Sequence, residues 1–268
     1  MTYSRVPEQI NEDPFLVQAI NEIYSTYGDT VSIQEKKKSL LKFGRNELVS
    51  TSGSTVMTLP SGVDEETYIS TNGITSISSS NNGDTQEVSL EGHTISGSDL
   101  TFTVQTVTLT GQTTVTLSTA LARATRLINK NSTNFAGQIY VYETDTTTGG
   151  VPDTNSKVHL MTRANGVNQS EKASTSISSV DYWIVTEYYG SVLEKTNIYA
   201  DFELQSREIG GVFVPLNTIA ASSGIFSHHP FTPYRIIRKN SDVRIQATAG
   251  SSNTDCIGGI EGYLAIVT

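Results

Sequence analysis

The residue types that most often carry chemistry are scarce in this chain. Among 268 residues there are four histidines and one cysteine. His228 and His229 are adjacent, between Phe226 and Pro230. As a metal pair they would need further ligands from elsewhere, and neighbours on a strand point to opposite faces, so a solvated or interface loop is the plainer reading. His93, in Glu91-Gly92-His93, could act as a base on Ser96 or Ser98. With 68 Ser and Thr residues in the chain, however, a hydroxyl near any histidine is expected without purpose. Asp64-Glu65-Glu66, or Asp201 with Glu203, could supply paired carboxylates of the kind glycoside hydrolysis uses. Spacing two on a strand equally describes a solvated face. Cys256 has no histidine close in sequence and reads as a small packed hydrophobe. The sequence has no Gly-x-x-x-x-Gly-Lys-Ser/Thr loop, no dinucleotide-binding glycine pattern, no His-Glu-x-x-His, no Cys-x-x-Cys and no Gly-x-Ser-x-Gly. These residues therefore predict no catalytic centre, no metal site and no cofactor.

The charges are more informative by position. Net charge is −9, with 18 cations against 27 acids. Residues 1–46 hold six of each sign, so the whole excess lies in the remainder. Within the first 46 residues five cations, Lys36, Lys37, Lys38, Lys42 and Arg45, fall within ten positions. They form either a solvated helix face or a docking element for an acidic protein surface. With Phe43 they are the candidate partner-binding residues. Nucleic acid ranks below both readings, because few aromatics interleave the cations and the chain is acidic overall.

Two helices are expected to position that patch. Asp13 is a suitable N-cap, Pro14 suits the first turn, and Gly28 is placed to terminate the helix. Leu16, Ile20, Ile23, Tyr24 and Tyr27 would form its apolar stripe. Ser32-Ile33-Gln34-Glu35 is a capping box, predicting a second helix through Phe43 that stops at Gly44. From Asn46 onward the period falls to two. Phe102, Val104, Thr106 and Thr108 share one register and Val107 and Leu109 the other, so Leu100–Leu117 requires a bulge or a change of buried face. Thr110-Gly111-Gln112 predicts a hairpin turn there, and Asn72-Gly73 and Asn82-Gly83 predict others. Further strands are expected around Tyr182–Val185, Asn197–Leu204, Val212–Val214, Val243–Ala247 and Tyr263–Val267. The polar, glycine-containing stretch after Thr144 reads as a boundary.

The chain is thus expected to be mainly β: a helical arm over 1–46, a first β domain over 47–145, a linker over 146–157 and a jelly-roll-like sandwich over 158–268. Charged residues are only 17% of the chain against roughly a quarter in an average domain, so hydroxyls rather than charges make its surface polar. A single cysteine excludes an internal disulfide framework. No apolar run approaches the roughly 18 residues that suggest a membrane span. The start carries no signal-peptide pattern, so synthesis in a cytoplasm is expected and the sequons at Asn131 and Asn168 are expected to stay unmodified.

Four segments carry a family resemblance: Leu41-Lys42-Phe43-Gly44-Arg45-Asn46; Asp84–Val88 with Glu91-Gly92-His93; Gln105–Thr113; and Ala122–Arg126 leading to Asn134–Ile139. Together they resemble a group of virion structural proteins of tailed bacteriophages, in which a "KFGRN" arm precedes a β domain. The match covers residues 40–142. The resemblance implies a non-enzymatic virion protein made in a host bacterial cytoplasm. It would be a capsid-decorating or cement protein, anchored by its arm to capsid or other virion proteins and self-associating through its C-terminal sandwich, with a trimer favoured. The alternative is a tail, adaptor or fibre component binding host-surface glycans, with Tyr182, Trp183, Tyr188 and Tyr189 as a stacking platform.

Overall fold

The computed structural model describes residues 13–33, 39–163, 166–194, 198–251 and 253–268. One helix, α1 (Pro14–Tyr27), precedes fifteen principal strands. These are β1 (Ser39–Val49), β2 (Ile74–Ser79), β3 (Glu87–Ser96), β4 (Asp99–Thr108), β5 (Val115–Leu121), β6 (Arg123–Asn129), β7 (Ile139–Glu143) and β8 (Val158–Met161). They continue as β9 (Ser174–Ile177), β10 (Asp181–Val192), β11 (Tyr199–Glu208), β12 (Val214–Ser222), β13 (Phe226–Ile237), β14 (Ser241–Ala249) and β15 (Thr254–Val267). Short pieces at Val31–Ile33 and Ser54–Thr55 extend the sheets.

The helix forms as its sequence predicts. Asp13 accepts hydrogen bonds from the Phe15 and Leu16 backbone N–H groups, and Gly28 ends the helix at φ 73°. Leu16, Ala19 and Ile23 are buried against Tyr182, Ile184 and Ala265, while Tyr24 is turned out to solvent.

The second predicted helix does not form over its described residues. Ser32 lies in the Val31–Ile33 strand, and Ser39–Val49 is β1, paired antiparallel with β15 from Tyr263 back to Thr254. A short isolated helix carries a nucleation cost that a ladder beside a long strand avoids. Gly44 is not a helix stop either. A Cβ there would sit 2.0 Å from the Val56 carbonyl and 2.3 Å from the Ala173 N–H nitrogen, so Gly44 marks a close backbone approach.

With β1 in place, the sheets are β1-β15-β10-β13 and β9-β14-β11-β12. Counting only these eight strands along the chain, the orders are 1-8-3-6 and 2-7-4-5, a complete jelly roll. Trp183, Val185, Tyr188, Phe202, Leu204, Val243 and Ile245 fill the space between the sheets. Strands β2 to β8 all lie within the connection from the first jelly-roll strand to the second. They form a second sandwich, β8-β7-β2-β5 over β4-β3-β6, around Ile77, Leu90, Leu127, Phe135 and Val141.

The pairing therefore draws the units differently from the sequence reading. The KFGRN segment is jelly-roll strand rather than arm, and the expected linker over 146–157 is an excursion inside the inserted sandwich. Within it Thr147–Thr148 pairs with Val151–Pro152 around Gly149 and Gly150, both at positive φ, and β7 and β8 on either side share one sheet. The turns also move. β4 and β5 lie in opposite sheets, so Thr110–Thr113 is an arch between layers. Asn82-Gly83 likewise joins strands of opposite sheets, and Asn72 holds the Ile95 backbone through its side chain. The tight hairpin is at Gly97-Ser98, with Ser96 opposite Asp99 and Gly97 at φ 64°. β4 carries no bulge against β3: its Phe102, Val104, Thr106 face points out, and Gln105 and Val107 point in.

Gly44→Ala is expected to destabilise the protein by about 1–3 kcal/mol through overpacking. Leu41→Ala, on the exposed side of the same strand, should change stability by under about 0.5 kcal/mol. Chemical denaturation of the two variants checks the contrast.

Candidate functional site

The predicted docking residues do not form one surface. Lys36, Lys37 and Lys38 lie outside the described residues. Lys42 is buried on β1, opposite Ile260. Phe43 is half-buried beside Gly259. Arg45 forks onto Asp255, with Nε 3.0 Å from Oδ1 and Nη2 2.6 Å from Oδ2, and also reaches Glu47 at 3.2 Å. Alternation on a strand sends Lys42 inward and Arg45 toward its cross-strand acid, so Lys42 is buried and Arg45 is paired.

Lys42 instead belongs to a polar seam between the two sandwiches. At its centre Asp242, fully buried at the start of β14, receives Arg123 of β6 through Nε at 2.9 Å and Nη2 at 3.1 Å. Arg207 of β11 joins at 3.0 Å and Ser176 of β9 at 2.7 Å. Burial works against the Asp242 carboxylate, but Arg123 outweighs it and holds the group below the usual range. The Tyr68 ring lies 4.4 Å from the Arg207 guanidinium carbon and 5.1 Å from that of Arg123. Burial, with Glu66 alongside, pushes the Tyr68 hydroxyl well up. Glu66 binds Lys172 at 2.5 Å, Ser174 at 2.6 Å and the Tyr68 hydroxyl at 2.9 Å. Lys172 also donates to the Ala124 carbonyl, so both sandwiches hold it. Burial brings the Lys42 ammonium down to about 8 and His93 down to about 3, with Lys42 itself adding to the shift at His93.

The structure does not bring the candidate catalytic and metal-binding residues into the pairings their chemistry would need. His93 is buried at the seam with Nδ1 unpartnered, stacked edge-on to Phe102 at 5.5 Å, and paired to no serine. Asp201 and Glu203 lie on the outer face of β11, where Gln205 donates to Glu203. Cys256 is buried, which raises its thiol to about 12. His228 meets Glu187 at 2.9 Å, whereas His229 packs on Tyr188 and Phe231. Among the described residues no group of three or more His, Cys, Asp or Glu side chains is arranged to hold a metal ion. Three of the four aromatics of the proposed stacking platform, Tyr182, Trp183 and Tyr188, are buried, so they cannot present rings to a glycan.

Sequence reasoning missed the seam because its members are spread from Lys42 to Asp242 and no local spacing joins them. It also missed an apolar end of the jelly roll. Leu193, Tyr199, Ile225 and Phe226 are exposed there, where the loop after β10 meets the β12–β13 turn through Gly224 to Val192 and Ser223 to Ile198 backbone bonds.

No family model matches the chain, and no curated protein matches it. Among solved structures, the chain is similar to the VP2 subviral particle of infectious bursal disease virus, with 12% identity, 95% of this chain and 77% of that one covered, and a TM-score of 0.23. It is similar to the Gt strain of that virus at 10% identity, with coverages of 98% and 78% and a TM-score of 0.21. A T13 particle of the same virus gives 10%, 95%, 75% and 0.23. Superpositions this loose carry no argument about role.

Two outcomes follow from the seam. Asp242→Asn should cost about 3–5 kcal/mol, because it leaves Arg123 buried with its charge uncompensated. Removing the exposed Glu208–Arg238 pair by Glu208→Ala should cost under about 1 kcal/mol. Equilibrium unfolding in urea measures both.

The second outcome is a pH dependence. His93 and His159 are both held below the ordinary histidine value by burial, so the unfolded chain takes up protons that the fold refuses. Stability should fall as pH drops below about 6.5, by up to about 1.4 kcal/mol per unit for each group. His93→Gln should remove its share of that slope in unfolding curves taken between pH 7 and 4.

Proposed function

We propose that this chain is a non-enzymatic structural component of a virus particle, acting as a capsid-decorating or cement protein. The observation that carries the reading is the eight-stranded jelly roll whose first connection holds an entire second sandwich. Viral capsid and lectin domains share the eight-stranded double-sheet jelly roll. The lectin-like alternative, a glycan-binding tail or fibre component, loses support because three of its four candidate rings, Tyr182, Trp183 and Tyr188, are buried. The second sandwich is fastened at two places, by its chain connections and by the Arg123–Asp242 pair and the Lys172 to Ala124 bond, which suits a rigid projection. The exposed Leu193, Tyr199, Ile225 and Phe226 supply an apolar surface for association between copies, with a trimer as the favoured symmetry.

In this reading Lys36, Lys37 and Lys38 are the cations that meet an acidic shell, since Lys42 is buried and Arg45 is paired with Asp255. The test replaces all three lysines by Glu in the full chain and measures incorporation into purified virions. Incorporation should fall at least tenfold while the purified variant keeps its thermal unfolding midpoint. Unchanged incorporation overturns the anchoring role, and absence of the wild-type chain from purified virions overturns the virion role itself.

A further inference from the structure

The outer strand of the inserted sandwich, β4, is an open edge. Its inner edge pairs with β3 over ten consecutive residues without a register break. The Gly97-Ser98 hairpin fixes which backbone groups point where. Ser96 and Asp99 form the closing pair, so the odd residues of β4 bond to β3, and the Leu109 N–H continues that pattern onto the Gln86 carbonyl. The even residues point away from β3. Leu100 confirms the direction, because its N–H is held by the Asn240 side chain and its carbonyl by the Ser179 N–H, both from the jelly roll. Phe102, Val104, Thr106 and Thr108 face the same way, and their N–H and carbonyl groups have no hydrogen-bond partner among the described residues.

Exposed strand edges are normally guarded. β13 carries Pro230 and Pro233, and β12 carries Pro215. β6 carries Arg123 and Arg126 and is covered through backbone bonds to Asn168 and Ser170. At β5 the Gln105 side chain takes both the N–H and the carbonyl of Thr119. From Leu100 to Thr108, β4 has no charge, no proline and no bulge, and Phe102 and Val104 are exposed on its outer face.

We propose that this edge pairs with the same edge of a second copy of the chain, antiparallel about a two-fold axis at Gln105. Phe102 then lies opposite Thr108 of the other copy and Val104 opposite Thr106. That register joins outward-pointing residues only, gives each of the eight free backbone groups a partner, and leaves Leu100 with the bonds it already has. An uncharged strand meets its own copy without like-charge repulsion, and apolar residues meet β-branched ones. The geometry also clears the two bodies. The antiparallel sense puts the two jelly rolls at opposite ends of the joined sheet, and past Thr108 each chain turns away through Thr110–Thr113. The contact joins two copies whatever symmetry other surfaces impose, and it does not depend on the virion reading.

Cross-linking tests the register. A Val104→Cys chain mixed with a Thr106→Cys chain should form disulfide-linked pairs on mild oxidation, because directly opposed strand residues lie within disulfide reach. Either variant alone places its cysteines diagonally and should link at least fivefold less. Cys256 is buried and stays out of the reaction. Adding Thr108→Pro to both partners removes a donor from the free edge alone. It should cut linking at least fivefold while the melting curve of each chain stays in place. No linking in the mixture, equal linking by one variant alone, or linking that survives Thr108→Pro overturns the proposal.

Discussion

Everything in this fold rests on the pairing of β1 with β15, which joins residues about 210 positions apart, as the Arg45–Asp255 fork marks. β15 is the most connected strand of its sheet. It takes β10 along one side and, along the other, β1 and the Val31–Ile33 piece end to end. Until β15 exists, β1 has no neighbour and the sheet has no centre. The consequences spread outward. α1 packs on the outer face of β10 and β15, and Gly44 lets the backbones of Val56 and Ala173 close over β1. The inserted sandwich is tethered at both ends because its entry and exit are consecutive jelly-roll strands, one in each sheet. Such a contact pattern is dominated by long-range pairs and implies slow folding.

The seam between the sandwiches shows where a charge-poor chain spends its charges. Arg123, Asp242, Lys172, Glu66 and Lys42 are all buried there, and Ser174 and Ser176 supply further donors to the carboxylates. Buried pairs of this kind seldom add net stability over an apolar packing, since desolvation offsets most of the attraction. What they do is penalise misalignment: a shift of one sandwich against the other strands a charge in the interior. Lys42 and His93 record the cost of that environment, both being driven toward their neutral forms.

How much could be read from the sequence follows from how local each signal is. α1 was legible to the residue, because Asp13, Pro14 and Gly28 act within one turn of their own positions. The alternation in β11 and the apolar runs of β10, β14 and β15 were legible for the same reason. β1 was not, since a capping box and a lysine run describe a local preference that β15 overrides from the far end of the chain. The insertion was also hidden: the glycine-rich turn after Thr144 looks like a boundary, while the place where the chain leaves and re-enters the jelly roll is marked by the long-range pairing of Met57 with Lys172, which no local pattern announces. The fold class was readable from composition and period. The seam was not, because its side chains come from strands and connections far apart in the chain and meet only after both cores have formed.

The hydroxyl-rich surface acquires a specific meaning beside the open edge of β4. A Ser or Thr surface stays hydrated without projecting a long-range field, and removing it from water costs far less than removing a carboxylate or an ammonium. Copies of such a protein can approach closely at several surfaces without electrostatic selection. Selection must then come from short-range geometry, meaning backbone ladders with one register and small apolar contacts. Prolines guard β13 and β12, charges and a covering segment guard β6, and the Gln105 side chain guards β5, whereas β4 carries none of these from Leu100 to Thr108, so that geometry is left free to act there.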